Sequence, residues 1–256
     1  MAKSVAIVTG ASQGIGRATA IRLAKDFEAI VLVARHRENL EETARYVHET
    51  GAESLIIDAD IAAPGVPKVV IDQVMAKFGR IDALLNIAGA VPQIDLFEMT
   101  DDQWDQATEL KLHGARRLTL AAWPALKASA GAVVMMSGNS AQVPKSGYAA
   151  VAAINAAIVA LAKAFADRGI EDGVQVNSVM PGPVMTGRRR SFVQKWASAN
   201  GMSDEEALIR FPQNAGISRF GEPEEIADLL AFLVSPSARW ITGSALRMDG
   251  GEVKAV

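Results

Sequence analysis

Residues 8–24 read VTGASQGIGRATAIRLA, and the fold of the whole chain turns on this stretch. A β-branched run ends at Thr9, glycines follow at Gly10, Gly14 and Gly16, and an amphipathic run sets out from Ile15. A chain that leaves a strand this way must turn sharply and let its backbone approach a ligand. It also presents the free N–H groups of a helix start to an anion. Glycines alone would signal no more than the end of a strand. With a strand before it and a helix after it, the spacing marks a candidate site for the pyrophosphate of a dinucleotide.

The same alternation continues outward. Strand-like runs are SVAIVT from Ser4, AIVLVA from Ala29, SLIID from Ser54, IDALLNI from Ile81, AVVMMS from Ala132, VQVNSVM from Val174 and ALRMD from Ala245. Helix-like stretches lie near 15–26, 37–50, 66–78, 100–122, 147–168 and 222–234. Continuous apolar strands suit a sheet covered on both faces, and strand–helix alternation points to parallel strands with right-handed crossovers. The expectation is an α/β fold: a single Rossmann-type doubly wound domain over residues 1–256, with about seven parallel strands flanked by helices. The one long departure from the alternation is 187–220, and long excursions of this kind tend to be functional.

Composition narrows the function. Half of the 256 residues are hydrophobic and 21% are charged, enough for a substantial core. A net charge of −3 gives no electrostatic footprint for nucleic acid. The absence of cysteine excludes disulfides, a thiolate nucleophile and sulfur-ligated metal, and the three histidines lack ligand spacing. No signal peptide is read at the N-terminus. The apolar segment from Ala149 to Ala166 is interrupted by Asn155 and Lys163 and reads as a buried or interface helix, not a membrane span. A cytoplasmic location is expected, with a small-molecule substrate and no nucleic acid, membrane or metal.

The second strand ends in VARHR. A site for NAD would place a carboxylate there to accept from the ribose 2′-hydroxyl. This chain offers Arg35, His36 and Arg37 and no acid before Glu38, so NADP is favoured, with NAD possible. The alternative is that these are solvated charges at a helix start.

With these motifs in order, the chain resembles the short-chain dehydrogenases/reductases nearly end to end. TGASQGIG, which includes Ser12 and Ile15, matches that family's glycine turn; DADI places Asp60 and Ile61 at its adenine contact. NIAG matches the element after strand four, with Asn86, Ala88 and Gly89 along the adenosine side. VNSVMPGPVMT matches the end of strand six, where Pro181, Gly182 and Val184 border nicotinamide and Thr186 meets its carboxamide. The resemblance implies NAD(P)-linked interconversion of a carbonyl and an alcohol, and assembly as a homodimer or homotetramer. The small-residue helix 149–166 suits packing against its own copy, with an internal helix as the competing reading.

The resemblance also implies an Asn–Ser–Tyr–Lys tetrad, and here the pattern breaks. Alignment of INAAIVALAKAFA puts Asn155 at the lysine position and Val151 at the tyrosine position; on the fourth helix Lys111 stands where the asparagine is expected. Neither Tyr46 nor Tyr148 is followed by lysine four residues on. In MMSGNS, Gly138 takes the serine position, with Ser137 before it and Ser140 two after. Tyr148 and Asn155 would lie about 10 Å apart along a helix, against about 6 Å for the usual spacing, unless Tyr148 sits on the preceding loop.

Three readings stay open. Lys111 supplies the displaced cation, Asn155 the displaced amide, and Tyr148 or Ser137 the proton. Or the chain binds a dinucleotide without turning it over, as a sensor or partner subunit. Or Lys111 acts as base or clamp in other chemistry. Over the substrate, 187–220 is expected to form a flap in which Arg188, Arg189 and Arg190 could meet a carboxylate or phosphate. Phe192, Trp196 and Phe211 would line a pocket or form plain core.

Overall fold

The computed structural model describes residues 3–254. All seven expected runs are strands of one parallel sheet: β1 (Val5–Thr9), β2 (Ala29–Ala34), β3 (Glu53–Asp58), β4 (Ala83–Asn86), β5 (Ala132–Met136), β6 (Gln175–Pro181) and β7 (Ala245–Met248). Their order is β3-β2-β1-β4-β5-β6-β7. The crossover direction reverses between β1 and β4, which opens a crevice at the strand C-termini where such sheets take ligands.

Alternation along each central strand serves two cores. Val5 and Ile7 of β1 face one side with Val31 and Val33 of β2, while Ala6 and Val8 face the other with Ile30 and Leu32. The first side is covered by α3 (Val66–Phe78), α5 (Ala115–Ser129) and α6 (Ala149–Asp172), through Val70, Leu118, Leu126, Ile158 and Ala162. The second is covered by α1 (Gly14–Leu23), α2 (Arg37–Glu49) and α9 (Pro223–Leu233), through Leu23, Leu40, Val47, Ile226 and Leu230. Each fully buried Leu or Ile contributes roughly 1.5–3 kcal/mol over the exposed state. Both faces of the central strands are thereby dry, which is why these read as unbroken apolar runs.

Three local differences from the sequence reading matter for the site. The helix expected at 100–122 begins as α4 (Asp101–Thr108), locked by a Thr100–Gln103 capping box. It then widens into a π turn at Glu109–Gly114 before α5 resumes. The helix expected from 147 starts at Ala149, so Tyr148 is its N-cap on a short 3₁₀ turn and belongs to the loop. Residues 187–220 carry two helices, α7 (Gly187–Ala199) and α8 (Asp204–Asn214), capped by Thr186 and Ser203. They enclose a small core in which Val193, Ala197 and Ala207 meet Phe192, Trp196 and Phe211.

By length and composition α6 could cross a membrane. Its apolar stripe of Ile158, Ala162 and Ala166 packs instead into the same cluster as Val133 and Val176 of the sheet. That is the behaviour of a core helix.

Candidate active site

A cleft of about 340 Å³ opens at the β1/β4 switch. Gly10, Ser12, Gly14, Ile15, Gly16, Arg35, Asp60, Ile61, Ala88, Gly89 and Thr186 all line it. Gly10 has φ +68, the left-handed region where a side chain is strained. Gly16 is needed for space, because a Cβ there would sit 2.1 Å from the Gly10 carbonyl oxygen. The start of α1 carries neither a side-chain cap nor an acid in its first turn, so its free N–H groups face the cleft uncompensated. An anion fits that position. Arg37 is held by Glu41 at 3.0 Å and Asp58 at 3.1 Å, whereas Arg35 makes no ion pair among the described residues and remains exposed at the cleft wall.

Four of the expected cofactor residues stand elsewhere. Asn86 is buried below the cleft floor and donates to Thr119 Oγ1 at 3.1 Å. Pro181 ends β6, buried in register with Met248. Gly182 and Val184 line a neighbouring cavity of about 190 Å³; Gly182 is pressed so close to Asp249 that a Cβ would meet its Cα at 2.7 Å. Sequence reasoning missed Thr9, whose buried hydroxyl accepts from the N–H groups of Ile87 and Ala88, each at 2.9 Å. That pair of bonds ties the end of β1 to the turn after β4. Its signal was present inside the glycine motif but was read only as spacing.

Deeper in, the structure brings Lys111, Ser137 and Asn155 together. The π turn carries one residue more per turn than an α-helix and re-aims what it holds. Lys111 lies inside it, and its stem passes over Gly89, where a Cβ would come within 3.0 Å of Lys111 Cδ. The ammonium donates to Asn155 Oδ1 at 2.5 Å and to the Ser137 carbonyl at 3.2 Å. Asn155 Nδ2 donates in turn to Ser140 Oγ at 2.9 Å. Two of the three lysine protons have protein acceptors, and one is left over. Burial first, and the nearby Arg188 charge second, push the Lys111 ammonium down to about 8.

Gly138 completes this arrangement. Its φ of 173 is ordinary extended backbone, so conformation does not require glycine. Space does: a Cβ at 138 would lie 2.6 Å from Asn155 Nδ2.

The hydroxyls behave differently from one another. Ser137 is buried and donates to the Asn155 backbone carbonyl at 2.8 Å, so its proton holds β5 to α6. Tyr148 is half-buried, does not line the cleft, and its hydroxyl makes no hydrogen bond within the described residues.

Over the cleft, Arg188 donates to the Gly89 carbonyl at 3.1 Å, and Arg190 is exposed. Phe192 and Phe211 meet edge to face at 5.9 Å, as do Trp196 and Phe211 at 5.7 Å. These aromatics therefore build the core between α7 and α8.

Residues 10–252 match the model of the family described as enoyl-(acyl carrier protein) reductase. The 3-oxoacyl-(acyl-carrier-protein) reductase FabG of Staphylococcus aureus is 32% identical over 256 residues, covering 98% of each chain. The dehydrogenase/reductase SDR family member 4 of Caenorhabditis elegans is 30% identical over 250 residues, covering 96% of this chain and 94% of that one. Among solved structures, L-sorbose reductase from Gluconobacter frateurii, complexed with NADPH and L-sorbose, aligns with a TM-score of 0.95 at 32% identity over 100% of this chain and 98% of its own. An actinorhodin polyketide ketoreductase variant with NADPH aligns at 0.92 and 29% identity, covering 98% and 99%.

Proposed function

Because this chain belongs to the short-chain dehydrogenase/reductase family, we propose that it is an NADPH-dependent reductase of a small carbonyl compound whose active site is rebuilt around Lys111 and Asn155. The observation that carries the reading is the 2.5 Å contact between Lys111 Nζ and Asn155 Oδ1. It joins a cation at the family's expected amide position to an amide at its expected cation position.

In this reading the turn at Gly10–Gly16 and the open start of α1 hold the pyrophosphate, and Arg35 meets the ribose 2′-phosphate. The fit rests on the Gly16 cradle and on Arg35, which lines the cleft and makes no ion pair among the described residues. Relatives solved with NADPH support the same choice of cofactor. Bound there, the reduced dinucleotide supplies hydride to the substrate carbonyl carbon.

Lys111 does the acid's work. Its remaining N–H points a proton at the carbonyl oxygen, the proton passes as negative charge builds there, and the neutral amine is reprotonated from solvent. A depressed pKa near the working pH favours such transfer. Asn155 and the Ser137 carbonyl aim the amine. Tyr148, on the loop before α6 and outside the cleft lining, would serve as a second donor only after a movement of that loop.

The whole chain serves as one dinucleotide-binding domain, with 187–220 as the substrate flap. Exposed Phe232 and Trp240 support self-assembly into a homo-oligomer, and a cytoplasmic location belongs to the same reading.

The test is NADPH oxidation over a panel of ketones and aldehydes, wild type beside Lys111→Ala, with NADPH binding followed in parallel by nicotinamide fluorescence. Turnover in the wild type with at least a hundredfold loss in the variant supports the assignment. Saturable NADPH binding with no turnover across the panel leaves a dinucleotide-binding module and ends the reductase reading.

A further inference from the structure

Three contacts form a ring around the open start of α1. On one side Gly10 is packed against the turn after β4, where a Cβ on Gly10 would come within 3.1 Å of Ala88 Cα. On the other side Gly14 is packed against the start of the flap, where a Cβ on Gly14 would lie 3.2 Å from Thr186 Cγ2. The third contact joins these two walls to each other, since Arg188 Nη1 donates to the Gly89 carbonyl at 3.1 Å. All six residues line the same cleft. Arg188 is therefore a strap from the flap to the β4 turn, and the glycine turn lies within the ring that it closes.

As a structural tie the strap is weak. Arg188 is exposed, and a single neutral carbonyl engages one of its five N–H donors. It makes no ion pair among the described residues, although a guanidinium gains most from an anion that takes two donors at once.

Its surroundings in the cleft carry the same sign. Arg35 and Lys111 line the cleft as well, against one acid, Asp60, whose Oδ1 already accepts from the Ala62 N–H at 3.0 Å. The uncapped N–H groups of α1 add the positive end of a helix dipole. Three cations and a helix start thus share a space in which one carboxylate is the whole of the opposing charge. A strap that did no more than hold the flap would gain nothing from being charged here.

From this geometry we infer that Arg188 is a clamp for the cofactor diphosphate, releasing Gly89 and closing from the flap side over the anion held at the start of α1. Its planar fork suits two phosphate oxygens better than one carbonyl. The inference rests on reading the cleft as a dinucleotide site, and it is independent of whether the bound dinucleotide reduces anything. It also gives the flap a task before any substrate arrives, which is to cover the cofactor.

The experiment titrates the full chain by calorimetry with four probes. NADPH, NADH and ADP-ribose share the diphosphate, and adenosine 2′-monophosphate carries the 2′-phosphate without it. In Arg188→Met the dissociation constants of the first three should each rise about tenfold or more, while that of adenosine 2′-monophosphate should change by less than about twofold. Arg188→Lys, which keeps the charge without the fork, should recover part of the loss. Displacement of NADPH in a stopped-flow instrument, followed by nicotinamide fluorescence, should show most of the change in the dissociation rate.

Unchanged binding of the three diphosphate probes in Arg188→Met overturns the clamp and leaves the dinucleotide site standing. An equal loss for adenosine 2′-monophosphate overturns it too, because the effect would then be general to the cleft. A wild-type protein that binds none of the four removes the dinucleotide site and the clamp with it.

Discussion

Lys111 Nζ and Asn155 Oδ1 lie 2.5 Å apart, a cation from the π turn between α4 and α5 meeting an amide from the interior of α6. Asn155 is only 3% exposed, so the contact is shielded from water and the amide oxygen faces the ammonium directly. Bonds to charged groups in such settings are worth about 1.5–3 kcal/mol. Two helices that are remote in sequence are therefore joined at the one point where the reaction is proposed to occur.

Exchange of the two side chains tests that union. Asn155→Lys alone sets two ammonium groups against each other, and Lys111→Asn alone leaves Asn155 without its donor. Each single variant should lower the unfolding midpoint, and the Lys111→Asn/Asn155→Lys pair should recover much of the loss. The coupling in a double-mutant cycle is expected at about 0.5–3 kcal/mol. Additive losses in thermal unfolding would show that the two residues do not interact.

The pH dependence has a definite sign. The Lys111 pKa falls from the ordinary 10.5 to about 8, through burial first and Arg188 second. Under the proposed assignment the ammonium is the acid, so kcat/KM should be flat below about 8 and fall tenfold per pH unit above it. Arg188→Gln removes the neighbouring cation and should carry that limb to higher pH. Because the folded chain binds fewer protons than the unfolded one between about 8 and 10.5, stability from this group rises with pH across that window, and Lys111→Met should abolish the slope.

Arg35 stands at the cleft wall beside the end of β2 and makes no ion pair among the described residues, so in the proposed reading its removal should be felt by the phosphate. Arg35→Ser should raise the NADPH dissociation constant about tenfold or more while changing that for NADH by less than about twofold. Fluorescence titration with both dinucleotides measures the ratio, and an equal change for the two would detach Arg35 from the 2′-phosphate.

Gly138→Ala should be costly although the backbone there is unstrained, since the new methyl meets Asn155 Nδ2 at 2.6 Å. Overpacking of this kind costs about 1–3 kcal/mol. Asn155→Ala removes the clash together with the Lys111 contact, so Gly138→Ala should cost much less in an Asn155→Ala background than in the wild type. A Gly138→Ala protein as stable as wild type would mean that the amide yields without cost.

The central strands were legible because both faces of each are dry: AIVLVA from Ala29 is β2 from its first residue to its last. The glycine turn was legible because conformation and close approach demand glycine at Gly10 and Gly16. The exchange of Lys111 and Asn155 could be suspected from residue types, but their contact could not. It depends on the π turn at Glu109–Gly114, and neither apolar periodicity nor a proline or glycine break announces an inserted backbone residue. Tyr148 was placed on a helix or a loop with equal ease, since a 3₁₀ turn leading into α6 has no distinct signature. The role of Gly138 was invisible because its neighbour in space is seventeen residues along the chain, on another element.

The widened turn at Glu109–Gly114 has a consequence for chain length. Residues on either side of it are out of phase by about 100° relative to an unbroken α-helix. Deleting one residue between 109 and 114 would restore regular winding, and would do so by rotating every upstream side chain away from its present neighbour. Conversely, a shortened segment could keep a lysine in the aligned column yet swing its amine off the crevice. The reach of this amine is thus encoded by a count of residues as much as by the letter at position 111.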